Sequence, residues 1–383
     1  MVNDKLEQGG RRQTRAKRKR RVFLQESSTG FWPELCGRIE KGQVIPIISN
    51  SVINDQIFDI DGDGLIGVGP AVDGLAPFEQ SIQEQLAGKW AKDINFPLLE
   101  GNLISRVAHF HRVVESSDDL AAKENYLDWL KQFLLEIAQD DGDVDLDEID
   151  EMWDEVGNYT FSDVARGLGY PKRIEGKGDT LQLLAKMQLP IYITTSHHDF
   201  LQKAIIDNKR TPRTQICFWG EEPVTIAPEH RTDYDYRPTV ENPLVYHIFG
   251  LEQYPTSMVL NEDDYLDFLS AISKDVDQQR PKIPIYLRKA LTKNSLILLG
   301  YRLKDWDFRV LFRGLINATP STLRLFNLAI QLDPRQQSQS VSAEQVRKYL
   351  EKYFSDSNFT VEWGNAHGFV ERMWQELDAW RRR

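Results

Sequence analysis

Short, unbroken apolar runs alternate through the second half of the chain with stretches in which apolar residues recur every three or four positions. The runs at 191–195, 244–249, 295–299, 326–331 and 359–363 have the length and strand-type character of elements that alternate with helices in a parallel sheet. The periodic stretches between them, 305–316 among them, predict helices. Upstream, 31–41 predicts a short helix that leads into a buried strand at 44–48. From 78 to about 138 the apolar residues again fall at helical spacing: Ile82, Leu86 and Trp90, then Leu103, Val107 and Phe110, then Tyr126, Leu130, Phe133 and Ile137. Two more helices are expected at 161–168 and 180–187, before Pro190 opens the second strand. The expected fold class is α/β: a Rossmann-like parallel sheet with helices on both faces and an inserted helical subdomain. In domain terms, 1–22 reads as a basic disordered tail and 23–383 as one domain, with the helical insertion at 78–190 containing an acidic segment at 140–155.

Open α/β sheets hold their ligands beyond the carboxyl ends of the strands. Several strand ends here break into small and polar residues suited to that place. The first strand runs into Ser49-Asn50-Ser51, the second into Thr194-Thr195-Ser196-His197-His198-Asp199, the third into His247 and Gly250, and another into Gly300. Asp199 and Asp305 each stand before an apolar-periodic run, where a helix-capping role competes with a ligand role.

Four of these segments, VIPIISNSV (44–52), LPIYITTSHHDFL (189–201), VYHIFG (245–250) with VLNEDDYLDFL (259–269), and LILLGYRLKDWDFR (296–309), resemble the bacterial sirtuin-like family of NAD-cleaving domains. The resemblance spans about 35 to 364 and the helix after it. It implies that 23–383 is a sirtuin-like domain and that NAD is its substrate, cleaved at the nicotinamide–ribose bond to nicotinamide and ADP-ribose. It also implies an effector of bacterial antiphage defence that depletes NAD and aborts infection. Such effectors act as homo-oligomers or with a partner such as a HerA-type ATPase.

The usual family pattern has a Gly-Ala-Gly loop after the first strand, an Asn and an Asp in a TTN-x-D segment, and a His just before the Gly of the third. Here Ser49-Asn50-Ser51 replaces the glycine loop, Ser196 stands at the Asn position and His198 at the Asp position. Phe249 stands where the catalytic His is expected, with His247 two residues earlier. On this pattern His247, His198 and Ser196 are the candidate catalytic residues. Ser49, Asn50, Ser51, Thr194, Thr195, Asp199, Gly250 and Gly300 are the candidate nucleotide-binding residues. Adjacent residues of an extended segment point oppositely, so only one of His197 and His198 easily faces the cleft, and the family position favours His198. The alternative is a catalytically silent nucleotide-binding or scaffold subunit, for which Phe249 and Ser196 speak.

The chemistry sets what such a site must supply. The departing pyridinium is already cationic and leaves neutral, so little acid catalysis is needed. The difficulty is positive charge developing on the ribose, as in glycoside hydrolysis. A site must bend the dinucleotide, admit water to one ribose face and place polar or negative groups near the forming cation.

Composition removes other classes. Two cysteines, Cys36 and Cys217, build neither a disulfide framework nor a four-cysteine zinc site, and no metal is expected. Sirtuins that deacylate proteins usually carry such a zinc module, so within the resemblance this favours NAD hydrolysis. No apolar run approaches membrane-spanning length and no secretory leader opens the chain, so the expectation is a cytoplasmic protein without membrane contact. Residues 1–22 hold nine Lys or Arg against Asp4 and Glu7, a charge of about +7 within a net −11. That basic run is either a solvated tail or a dock for nucleic acid or an acidic partner. The segment 140–155 holds ten acids and no base, either a solvated insertion or a partner's surface. Ser196 to Asp199 is no hydrolase triad, whose members converge from separated positions. The DIDGDGLIGVGP segment (59–70) has calcium-loop spacing but Pro70 where a bidentate Glu is required. No phosphate-binding GxxxxGK[ST] loop occurs.

Overall fold

The computed structural model describes residues 30–58, 82–97, 103–116, 118–171, 179–220, 222–223, 225–275, 280–302, 305–316, 327–331, 343–354 and 359–383. Among these residues, β1 (Val44–Ile48), β2 (Ile191–Thr194), β3 (Arg213–Ile216), β4 (Leu244–His247), β5 (Ser295–Leu299), β6 (Asn327–Gln331) and β7 (Phe359–Trp363) form one parallel sheet in the order β3-β4-β2-β1-β5-β6-β7. β1 is central, with Ile47 opposite Ile193 on one side and Leu298 on the other. The chain builds leftward from β1 through β2 to β4, then crosses to β5 on the opposite side. The crevice at this switch in direction is where such sheets open to ligands.

Every residue of β1, β2, β4 and β5 is buried, and their alternate side chains feed two separate cores. Val44, Ile48, Tyr192, Val245, Ile297 and Leu299 face one core, packed by α1 (Phe31–Glu40), α8 (Thr180–Lys186), α9 (Phe200–Asp207) and α14 (Ala366–Arg381). Ile45, Ile47, Ile193, Tyr246, Leu296 and Leu298 face the other, packed by α10 (Glu262–Lys274), α11 (Ile285–Lys293) and α12 (Trp306–Leu311). The fold is thus the α/β, Rossmann-like sheet with helices on both faces that the apolar pattern implies.

Between β1 and β2 lie α2 (Asn50–Phe58), α3 (Ile82–Asp93), α4 (Ile104–Val114), α5 (Asp119–Ala138), α6 (Leu146–Asp154), α7 (Phe161–Gly167) and α8. Their apolar stripes join the first core through Trp90, Val107, Leu130, Leu134 and Phe161. Local chemistry starts these helices where it does. Asp118 accepts the Ala121 N–H at 2.8 Å to open α5, and Thr160 with Asp163 forms a reciprocal capping box on α7. In the acidic segment, α6 is held by one buried residue, Ile149, while its carboxylates face solvent.

Three details differ from the sequence expectation. β3 is an additional edge strand: its four residues carry Arg213 and Thr214 half-buried, so no apolar run marks it. The strand expected over 244–249 ends at His247, since Gly250 with φ of +87° turns the chain. The helix expected over 305–316 is α-helical only to Leu311 and continues as a π-helical turn, Phe312–Ile316. The basic tail at 1–22 and the calcium-like segment at 59–70 lie outside the described residues. Among the described residues no helix is long and apolar enough to cross a membrane.

Candidate functional site

The carboxyl ends of β1 and β5 are tied together by serine hydroxyls. Ser49 and Ser51 both donate to the Gly300 carbonyl, at 2.9 and 2.6 Å. Gly300 has φ of +78°, and a Cβ there would stand 2.5 Å from Val52 Cγ2 and 2.6 Å from Ser49 Oγ. The residue type is therefore set by close approach of the two strand ends. On the other side, Thr195 receives the Asn50 N–H on its hydroxyl at 3.2 Å and gives its own N–H to Ile48 O at 2.9 Å. These bonds fix the start of α2 in the floor of a cleft.

The cleft encloses about 810 Å³, part of it open to solvent. Its floor is Asn50, Ser51, Thr195, His197 and Phe249, at the ends of β1, β2 and β4. Leu103, Ile104 and Ser105 at the start of α4, with Gln83 and Glu84 of α3, form one wall. Tyr265 of α10 and Arg302, Asp305, Trp306 and Asp307 after β5 form the other. Arg302 reaches across to Glu84 at 2.7 Å, joining the sheet to the helical layer. Trp306 stacks on Tyr265 with ring centroids 6.3 Å apart. Desolvation, and then the neighbouring Asp305 carboxylate, hold the Asp307 carboxyl above the ordinary carboxylate range.

Of the residues singled out from sequence, Asn50, Ser51 and Thr195 line this cleft; Ser49, Thr194, Gly250 and Gly300 lie behind it. Thr194 bonds Ile48 O at 3.1 Å and accepts the Ser196 N–H at 3.0 Å. Gly250 turns the chain under Ser257, where a Cβ would collide with the Ser257 carbonyl.

The three candidates for chemistry are placed differently from the expectation. Ser196 is buried and its hydroxyl accepts the His198 N–H at 3.1 Å, so it braces the strand end rather than facing the cleft. His198 points away from the cleft, correcting the preference for it over His197. Its ring packs 4.6 Å from Phe161, and Nδ1 lies 3.2 Å from Glu252 Oε1 at ion-pair distance but without hydrogen-bond geometry. Glu252 in turn accepts the Phe161 and Ser162 N–H groups at the start of α7, 2.8 and 3.2 Å away. His247 is fully buried on the α9 side of the sheet, on the same face as Val245. Its Nδ1 donates to Ser196 O at 2.8 Å and its Nε2 accepts from Gln202 Nε2 at 2.6 Å. Desolvation depresses its pKa to about 4, and its ring stands apart from the residues that line the cleft. Asp199 sits at the start of α9 without capping it, and instead pairs with Arg166. Asp305 likewise makes no side-chain cap on α12 and lies in the cleft wall.

The site is therefore a cleft at the carboxyl edge of a Rossmann-like sheet, roofed by helices. Residues 190–357, from just before β2 to just past α13 (Ala343–Phe354), match the family model described as SIR2-like domain. This match supports a Sir2-like family and NAD-related activity, since SIR2-like domains use NAD as a substrate. No curated protein matches the chain. Among the described residues no group of three or more His, Cys, Asp or Glu could hold a metal ion.

Sequence reasoning missed Gln83, Glu84 and the start of α4 as cleft residues. Only three-dimensional packing brings them over the sheet edge, and nothing local in their sequence marks it.

Proposed function

We propose that the protein hydrolyses NAD at the nicotinamide–ribose bond, giving nicotinamide and ADP-ribose, as the effector of a bacterial antiphage defence system. The observation that carries this reading is the cleft itself, which lies at the β1/β5 switch point within and beside the stretch that matches the SIR2-like domain. The polar floor at the ends of β1 and β2, with Asn50, Ser51 and Thr195, suits a pyrophosphate. The Asp305 carboxylate in the other wall suits the opposite end of the substrate, where positive charge develops on the ribose. Arg302, paired with Glu84 across the cleft, is the one cation among the lining residues that a phosphate could recruit. The activity is restrained by assembly, as a homo-oligomer or with a defence partner such as a HerA-type ATPase. The basic tail and the acidic helix α6 are candidate contacts for a partner or nucleic acid.

A second reading is favoured by one observation. Phe249, in the family's catalytic His position, presents an apolar ring to the cleft, and Ser196 is turned into the scaffold. On that reading the protein binds the dinucleotide without cleaving it. Release of nicotinamide from NAD, followed with purified protein alone and with the product of the neighbouring gene, separates the two. Turnover establishes the hydrolase; NAD bound without nicotinamide release in both samples establishes the silent module.

A further inference from the structure

We infer that His197 and Asn50 form a two-acceptor cradle for a vicinal diol, the 2′- and 3′-hydroxyls of a ribose. The inference rests on the reading of the cleft as a nucleotide site, and it assigns the sugar to residues that the family pattern does not mark. Both side chains line the cleft, and both carry a buried polar atom without a hydrogen-bond partner, His197 Nδ1 and Asn50 Oδ1. A buried polar atom left unpaired is costly, so orphans on side chains that line a cavity mark where a ligand completes the structure.

The chemistry of the orphans says which ligand. His197 is 5% exposed, and its ring interacts with the Gly250 backbone in the sense that favours an N–H on the ring. Since Nδ1 has no partner, that N–H is on Nε2, and Nδ1 keeps an unshared lone pair on a side chain that lines the cleft. Desolvation, then the neighbouring His198 and His247 rings, lower its pKa to about 3, so the ring stays neutral at physiological pH. A neutral imidazole nitrogen and an amide oxygen are both acceptors. They repel phosphate oxygens and call for hydroxyl donors, of which a ribose diol offers two. The other two histidines near the sheet edge cannot take this part: both His247 nitrogens are engaged, and His198 is walled behind Phe161.

The test is ADP-ribose affinity by isothermal titration with the full-length wild type, His197→Phe, His197→Gln and Asn50→Ala, with urea unfolding of each to register folding. The cradle predicts a loss of tenfold or more for His197→Phe and for Asn50→Ala, and most of the affinity retained in His197→Gln, which keeps an acceptor. Wild-type binding with equal affinity in folded His197→Phe and Asn50→Ala would overturn the cradle while leaving the nucleotide site in place. Equal losses in His197→Gln and His197→Phe would also overturn it, because packing alone would then explain both. Absence of ADP-ribose binding in the wild type overturns the cradle and the nucleotide reading together. The predicted contrast without any NAD turnover upholds the cradle and removes only the hydrolase.

Discussion

At the scale of single residues, His247 shows how a catalytic-looking side chain becomes scaffold. It joins the Ser196 carbonyl to Gln202 of α9 in a fully buried position, and removing it orphans both partners and leaves a cavity. His247→Ala is expected to lower stability by about 2–4 kcal/mol, measured by urea unfolding. A variant of unchanged stability would contradict the structural role. Gly250→Ala is expected to cost at least about 2 kcal/mol, since φ of +87° and the Ser257 carbonyl both exclude a Cβ; the same denaturant titration checks it. Which histidine faces the cleft was only half legible in sequence. The oppositeness of His197 and His198 follows from extended backbone. The side each takes is decided by Phe161 and Glu252, which come from elsewhere in the chain and draw His198 under α7.

At the scale of elements, the strands were legible where burial on both faces writes a largely apolar run, as in β1 and β5. β3 was not, because three of the four residues of this edge strand, Arg213, Thr214 and Gln215, are polar. The contact between the helical layer and α10 was also invisible, since it depends on a lysine. Lys123 of α5 is 1% exposed and sits 2.7 Å from Asp119 and 3.2 Å from Asp264, at ion-pair distance, with its ammonium over Trp219. Asp264 also closes the capping box of α10, so one carboxylate serves the helix start and the seam between layers. Burial raises the Asp264 pKa, and Lys123 is the first group that opposes this. Lys123→Met is therefore expected to destabilise by about 1–3 kcal/mol at neutral pH. The deficit should shrink on acidification, because a group whose folded pKa is raised loses stability as pH rises and regains it as the proton returns. Urea midpoints of wild type and variant at pH 7.5 and 5 test the sign, and a deficit that grows at pH 5 would refute it.

For the whole molecule, two neutral buried histidines set an acid limit. In the folded chain His247 and His197 titrate near 4 and 3, below the ordinary value of 6.5. As pH falls below about 6.5 the unfolded chain takes up protons that the folded chain refuses. Their contribution is thus complete above that pH and is lost as pH falls through about 4 and 3. Between pH 6.5 and 5 each is expected to remove about 2 kcal/mol, visible as a falling urea midpoint that flattens in His247→Gln. The central place of β1 carries a consequence for synthesis. Its nearest partner on one side begins 146 residues later, as the bond from Thr194 to Ile48 shows, and on the other side Ser49 meets Gly300 across 251 residues. A ribosome adding about 5–20 residues per second delivers the first of these only after a delay on the order of 10 s. For that interval the nascent chain holds a greasy, unpaired VIPII segment outside the exit tunnel, a natural client for a chaperone until β2 arrives.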